Sequence, residues 1–218
     1  MGSQTHTAFF GGSFDPPHLG HLMVASAALK SGFCEHVAWV PAFAPPHKNT
    51  RGASFADRAK MVELTIAGHD GMSISRIEEE LHLTPSYTFV VLKAWESRYG
   101  EMPELLIGAD SLLELHTWHR AAELAAVCRI ITYPRDGAPV TEEALLRHWS
   151  PATAKRLLAG VIPGDFFEIS SSELKSRMEK IADAGNIIHW EEYLVESVCD
   201  YIIRNGLYAV DASGANKS

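Results

Sequence analysis

Thr7-Ala8-Phe9-Phe10-Gly11-Gly12-Ser13-Phe14-Asp15-Pro16-Pro17-His18-Leu19-Gly20-His21 is the stretch that decides the fold. Its first apolar run is too short for a helix and stops at a glycine pair, as a buried strand stops at a tight turn. Beyond the prolines, Leu19 to Lys30 places Leu22, Ala25, Ser26 and Leu29 at helical spacing, with Gly32 as the C-cap. The segment reads strand, loop, helix. Paired glycines let backbone amides approach a bulky anion, and a helix N-terminus adds partial positive charge. Open α/β sheets bind nucleotides at such turns, so phosphate is the natural ligand. His18 and His21 share one face at the helix start, and Gly20 removes the side chain that would crowd a group lying between them.

The same alternation continues outward. Residues 36–43 read as a second short strand and the Pro/Gly-rich residues 44–53 as a long loop. Ser54 and Asp57 open a helix to about Ala67, with Met61, Leu64 and Thr65 on one side. Residues 72–77 alternate like a strand, Pro85-Ser86 opens a helix closed by Gly100, and residues 105–108 and 127–133 supply two further strands. Strands alternating with helices predict the α/β class, a doubly wound parallel sheet covered on both faces. Residues 141–160 read as helical, 166–169 as a short strand, and 171–184 and 191–205 as two last helices. The expected organisation is a single domain, with an α/β core over about 1–165, a small helical C-terminal portion over about 166–210 and a loose tail at 211–218.

Composition narrows the function. The chain has 218 residues, 46% hydrophobic and 21% charged, enough apolar side chains for a core and too few charges for a disordered polyelectrolyte. With 19 basic and 27 acidic residues the formal charge is −8, so the surface as a whole repels nucleic acid and anionic membranes. Phosphate must be bound locally. Cys34, Cys128 and Cys199 form no C-x-x-C pair, so neither a disulfide framework nor a cysteine zinc site is expected, and a reducing cytoplasm suits them. No apolar run approaches the ~20 residues of a membrane span. The histidine pair has the spacing of metal ligands, but no cysteine or histidine cluster completes a zinc site, so no protein-held metal is expected. The loop fits neither the G-x-G-x-x-G nor the G-x-x-x-x-G-K-[ST] pattern, so the dehydrogenase and P-loop readings fail.

Gly11 to His21 resembles the H-x-G-H nucleotidyltransferase superfamily, and its wording is most similar to the bacterial nicotinate mononucleotide adenylyltransferase family. The likeness continues through Pro45-Pro46-His47-Lys48, Arg58 with Met61, Ser86-Tyr87-Thr88, Ile107 to Ser111, Trp118, Arg135 and Ile169-Ser170-Ser171-Ser172. The resemblance implies a Rossmann-like nucleotidyltransferase fold and adenylyl transfer from ATP to nicotinate mononucleotide, in NAD biosynthesis. It implies Mg²⁺ bound mainly through ATP phosphates and water, and it leaves a homo-oligomer open. By the same resemblance His18, His21 and Lys48 would be catalytic. ATP would meet Gly11, Gly12, Ser13, Phe14, His18, His21, Gly108, Asp110, Arg135, Ile169, Ser170, Ser171 and Lys175. The acceptor would meet Asp15, Lys48, Ser86, Tyr87, Thr88 and Trp118. The chain departs from the family pattern at Ser172 (usually threonine), Lys175 (usually arginine), Val90-Val91 (usually within D-T-L) and Glu196 (usually proline). Two rival functions fit parts of the pattern, a sister transferase acting on nicotinamide mononucleotide or another phosphate monoester, and a nucleotide sensor without turnover.

Overall fold

The computed structural model describes residues 6–43, 52–82, 86–135, 137–163 and 193–208. Among the described residues five strands form one parallel sheet: β1 (Thr7–Gly12), β2 (His36–Pro41), β3 (Met72–Ile74), β4 (Glu104–Gly108) and β5 (Ile130–Tyr133), in the spatial order β3-β2-β1-β4-β5. The chain winds outward from β1 through β2 to β3, then crosses back to place β4 and β5 on the other side of β1. Winding reverses between β1 and β4, and a crevice opens there at the carboxyl ends of the strands.

Successive residues of each strand feed opposite faces, so the unbroken apolar runs serve two cores. Phe9, Ala38, Val40, Leu105, Ile107 and Ile130 pack on one side against α4 (Thr88–Tyr99), α6 (Ala121–Val127) and α8 (Pro151–Leu158). Ala8, Phe10, Val37, Trp39, Leu106 and Ile131 pack on the other against α1 (Leu19–Lys30) and α2 (Phe55–Ile66). Shorter helices α3 (Ile77–Glu80), α5 (Ala109–Leu113) and α7 (Glu142–Leu146) fill the connections. A third, smaller core joins α2 to the last described helix, α9 (Glu196–Arg204), through Met61, Leu194, Val198, Cys199 and Ile202.

Several boundaries differ from expectation. The first strand does not stop at the glycines: Gly11 and Gly12 stay in register with Val40 and Pro41, and Ala42 N–H donates to the Gly12 carbonyl at 2.9 Å. A Cβ at Gly11 would lie 2.9 Å from the Phe9 ring and one at Gly12 3.0 Å from the Phe14 ring, so the pair provides space rather than an early turn. The fifth strand begins at Ile130, because Val127 still ends α6. The helical stretch 141–160 is two helices, separated at Ser150, which caps α8 by accepting from Thr153 N–H. α9 starts at Glu196, because Val195 before it is extended as the N-cap, and Leu194 is buried to 2% exposure. The start of α2 is as expected, with Ser54 accepting from Asp57 N–H at 3.1 Å, and Gly100 closes α4 in the left-handed region at φ 82°. All three cysteines are buried, and burial pushes the Cys128 thiol up to about 12. Among the described residues no helix is long and apolar enough to cross a membrane. The strand expected at 166–169 and the helix at 171–184 lie outside the described residues.

Candidate active site

The loop between β1 and α1 bends sharply. Phe14 takes φ 45°, a left-handed conformation that non-glycine residues rarely adopt, and its ring is buried to 1% exposure beneath the loop. There it meets His21 edge-on, with ring centroids 5.0 Å apart and planes at 75°. His18 is the N-cap of α1 and His21 its third residue. His21 N–H donates to His18 Nδ1 at 3.3 Å, while His18 N–H donates to His21 Nδ1 at 3.2 Å. The two imidazoles therefore form a reciprocal capping box, a role usually taken by serine or threonine with glutamate.

This geometry sets the chemistry of both rings. Each Nδ1 accepts a backbone N–H, so each neutral ring carries its proton on Nε2, on the side away from the helix backbone. Burial, reinforced by the Arg135 charge, lowers His18 from the ordinary 6.5 to about 4. Burial, then His18, then Arg135 hold His21 well below its ordinary value. Neutral rings follow at physiological pH, giving two adjacent Nε2–H donors on rings 3.6 Å apart. Since the folded values lie below the unfolded one, the pair costs no stability above about pH 6.5 and progressively destabilises the fold as pH drops from there towards 4, the His18 share levelling off below that value. Nitrogen-15 spectra of the ligand-free protein should show His18 and His21 as the Nε2–H tautomer, unprotonated from pH 8 to about 5.5. A titration near 6.5 at His18 would contradict the capping geometry.

The histidines open onto a cleft of about 350 Å³ at the β1/β4 reversal, at the lower end of the range for small-molecule sites. Gly11, His18 and His21 line one side, Gly108, Asp110 and Trp118 the other, and Arg135 closes it. Gly108 ends β4, and a Cβ there would stand 2.6 Å from Asp110 Oδ1, so glycine leaves the room in which the Asp110 carboxylate turns back towards Arg135 at 3.4 Å. Trp118 follows a 3-10 turn at Leu115–Thr117, with one part packed on the core and another facing the cleft.

Seven of the residues expected at the site thus converge on one cavity: Gly11, His18, His21, Gly108, Asp110, Trp118 and Arg135. Gly12, Ser13, Phe14 and Asp15 belong to the same loop without lining the cleft. Asp15 is 6% exposed, and its Oδ1 accepts from Ala53 N–H at 3.0 Å and from the Tyr208 hydroxyl at 2.6 Å. Ser86 hydrogen-bonds the buried Glu78. Tyr87 caps α4, stacks on His119 with centroids 4.4 Å apart, and leads into Thr88 at the helix start. Lys48, Ile169, Ser170, Ser171 and Lys175 lie outside the described residues. Sequence reading missed Met23, Val24 and Tyr133 as cleft residues. The first two were findable, since they follow Gly20 at helical spacing of three and four.

Comparison with known proteins agrees with this geometry. The cytidylyltransferase-like family model matches residues 9–177, from the first strand past the cleft. A Gloeobacter violaceus protein named probable nicotinate-nucleotide adenylyltransferase is 38% identical over 205 residues, 93% of this chain and 96% of its own. One of the same name from Serratia proteamaculans is 35% identical over 217 residues, covering 92% and 94%. Among solved structures, Plasmodium falciparum nicotinic acid mononucleotide adenylyltransferase complexed with NaAD superposes with TM-score 0.71 at 18% identity, over 94% of this chain and 98% of that one. That likeness establishes the fold, while the sequence identities extend it to the family. The paired histidines at the β1/β4 reversal are therefore part of a relationship that runs the length of the chain, which belongs to the cytidylyltransferase-like family and, within it, to the nicotinate-nucleotide adenylyltransferases.

Proposed function

We propose that this chain transfers the adenylyl group of ATP to the phosphate of nicotinate mononucleotide, forming nicotinate adenine dinucleotide and releasing pyrophosphate. An acceptor phosphate oxygen forms a bond to the α-phosphorus as the bond from that phosphorus to the leaving pyrophosphate oxygen breaks. The nucleophile is already anionic near neutral pH, so no protein base has to deprotonate it. The protein's task is to position the groups and stabilise the charge that develops on the α-phosphate and the leaving group.

One observation carries the reading: two neutral imidazoles with Nε2–H donors locked side by side by the capping box, at the mouth of the switch-point cleft. Being neutral, they bind polyphosphate through aimed dipoles, while Arg135 supplies a full positive charge nearby. Asp110 would accept from a ribose or adenine group. Lys48, Lys175 and the amides of Ile169, Ser170 and Ser171 would add further donors to the triphosphate. Mg²⁺ would arrive on the ATP phosphates, with water completing its ligands. Bound in that way, the ion offsets charge on the phosphates.

The acceptor's aromatic ring has a plane to lie against in Trp118. The N-terminus of α4 at Tyr87-Thr88 offers partial positive charge suited to a carboxylate and indifferent to a neutral amide. Trp118→Ala should raise the acceptor KM about ten-fold or more with ATP KM changed less than about two-fold, read from initial rates at saturating co-substrate. Equal effects on both substrates would remove Trp118 from acceptor recognition.

The deciding experiment is pyrophosphate release from Mg-ATP with nicotinate mononucleotide, nicotinamide mononucleotide, phosphopantetheine or no acceptor. The reading requires nicotinate mononucleotide to exceed the others by at least about ten-fold, ~1.4 kcal/mol of selectivity. Preference for another acceptor would move the substrate within the same chemistry. Silence with all four despite ATP binding would overturn catalysis in favour of sensing.

A further inference from the structure

Asp15 is the point at which three distant pieces of chain meet. It belongs to the loop that delivers His18, it accepts the Ala53 amide just ahead of α2, and it receives the hydroxyl of Tyr208, beyond the end of α9. A Cβ at Gly52 would stand only 2.4 Å from Asp15 Oδ2, so backbone packs directly on the carboxylate. Arg58 of α2 binds the loop from the same side. The residue is 4% exposed, and its guanidinium donates to the Ser13 carbonyl and, beyond the end of β2, to the Ala42 carbonyl, both at 2.7 Å. The C-terminal segment touches the loop a second time, where the Tyr193 carbonyl accepts the first amide of α1, Leu19 N–H, at 2.7 Å. Tyr208 itself sits at φ 61°, in the left-handed region. A non-glycine residue held there is a strained outlier of the kind that surrounding structure must over-determine. Here its ring packs against the third core and its hydroxyl binds Asp15.

We propose that Tyr208 is a positioning residue for phosphate chemistry in the cleft: through Asp15 it fixes the loop on which His18 and His21 close their mutual capping box. The inference rests on the cleft being the catalytic site. Tyr208 touches no cleft group itself. Its hydroxyl keeps one rotamer of Asp15, Asp15 keeps the loop at one height above α2, and that height sets the direction of both Nε2–H donors. Transition-state donors lose effect steeply when they are misaimed, so a loop that relaxes by a few tenths of an ångström lowers turnover before it lowers affinity.

The C-terminal segment also provides a control on α9. Tyr201 also donates its hydroxyl to an aspartate, Asp57 Oδ1 at 2.9 Å, but Asp57 belongs to α2 rather than to the loop. Tyr208→Phe should lower kcat about ten-fold, equivalent to about 1.4 kcal/mol, with both KM values within about two-fold. Tyr201→Phe should lower kcat less than about two-fold even where it lowers the thermal midpoint as much. Asp15→Asn should resemble Tyr208→Phe, and the double variant should be little worse than either, because one linkage is broken once. Equal kcat losses in the two tyrosine variants, or less than two-fold loss in Tyr208→Phe, would overturn the proposal. A second readout is independent of turnover. Nitrogen-15 signals of His18 and His21 in the ligand-free protein should lose their single Nε2–H tautomer in Tyr208→Phe and keep it in Tyr201→Phe. Unchanged signals in Tyr208→Phe would overturn the proposal even if the wild-type protein showed no adenylyl transfer, an outcome that would count against the catalytic reading alone.

Discussion

His18→Ala should lower kcat for adenylyl transfer by roughly 10² to 10³-fold, while ATP binding weakens by no more than about three-fold. The ring contributes one preorganised Nε2–H to phosphate oxygens whose charge grows only as the reaction proceeds, so its loss falls mainly on the transition state. Alanine also removes the side-chain acceptor of His21 N–H, and losing an N-cap costs about 1 kcal/mol of stability. His18→Asn separates the two roles. Asparagine is a good N-cap and can accept from His21 N–H, so its thermal midpoint should stay near wild type while kcat remains at least ten-fold down. If asparagine restored turnover along with stability, His18 would be a cap and no more. Single-turnover rates at saturating ATP, beside ATP affinity by calorimetry, provide both numbers.

Gly160→Ala should be the most destabilising single methyl in the described structure. After α8 the chain turns at Gly160, whose carbonyl accepts Thr132 N–H at 2.8 Å, and Ile162 N–H returns to the Thr132 carbonyl at 2.9 Å. These two bonds fasten residues 160–162 alongside β5. A Cβ on Gly160 would lie 1.9 Å from the Ile130 carbonyl oxygen, far inside contact distance, and that oxygen is backbone in the sheet. A side chain could rotate aside, but a strand cannot. Separating the two segments sacrifices both hydrogen bonds and exposes part of the Ile131, Tyr133 and Ile162 packing. The expected loss is about 3 kcal/mol or more, a fall of roughly 6–12 °C in thermal midpoint for a domain of this size. A change below about 3 °C would show that the turn tolerates a side chain. Because β5 leads into Tyr133 and Arg135, residual activity in this variant should also be low at temperatures where the protein remains folded.

These two residues differ in how they could have been found. His18 is legible locally: a strand, a glycine pair, two prolines and H-x-G-H at a helix start state their chemistry within fifteen residues. Gly160 is not, because its neighbour Ile130 is thirty residues away and only sheet formation brings them together. The pattern holds more widely. α1 has the bounds its apolar spacing predicts, and Gly100 closes α4 as expected, since helix ends are set by residues a turn apart. Strand ends were displaced at Gly12 and Ile130, where pairing with a neighbouring strand determines where extended structure stops.

Asp15 marks the same division within the site. The family resemblance implies an acceptor contact for Asp15, and the structure adds a tie from its carboxylate to Tyr208, 193 positions along the chain. The tautomer of the histidines falls between the two cases. Their spacing of three follows from the sequence, but burial by Phe14 and the nearness of Arg135 keep the rings neutral. The amino-acid sequence by itself determined the α/β class, the phosphate-suited loop and its helix, and the family, because each depends on periodicity or on residues close along the chain. Only the tertiary structure decided the strand order, the β1/β4 cleft, the charge state of His18 and His21 and the anchoring of their loop by the C-terminal segment. Those properties arise from contacts between residues far apart in the chain, and such contacts exist only once the two cores have closed on the sheet.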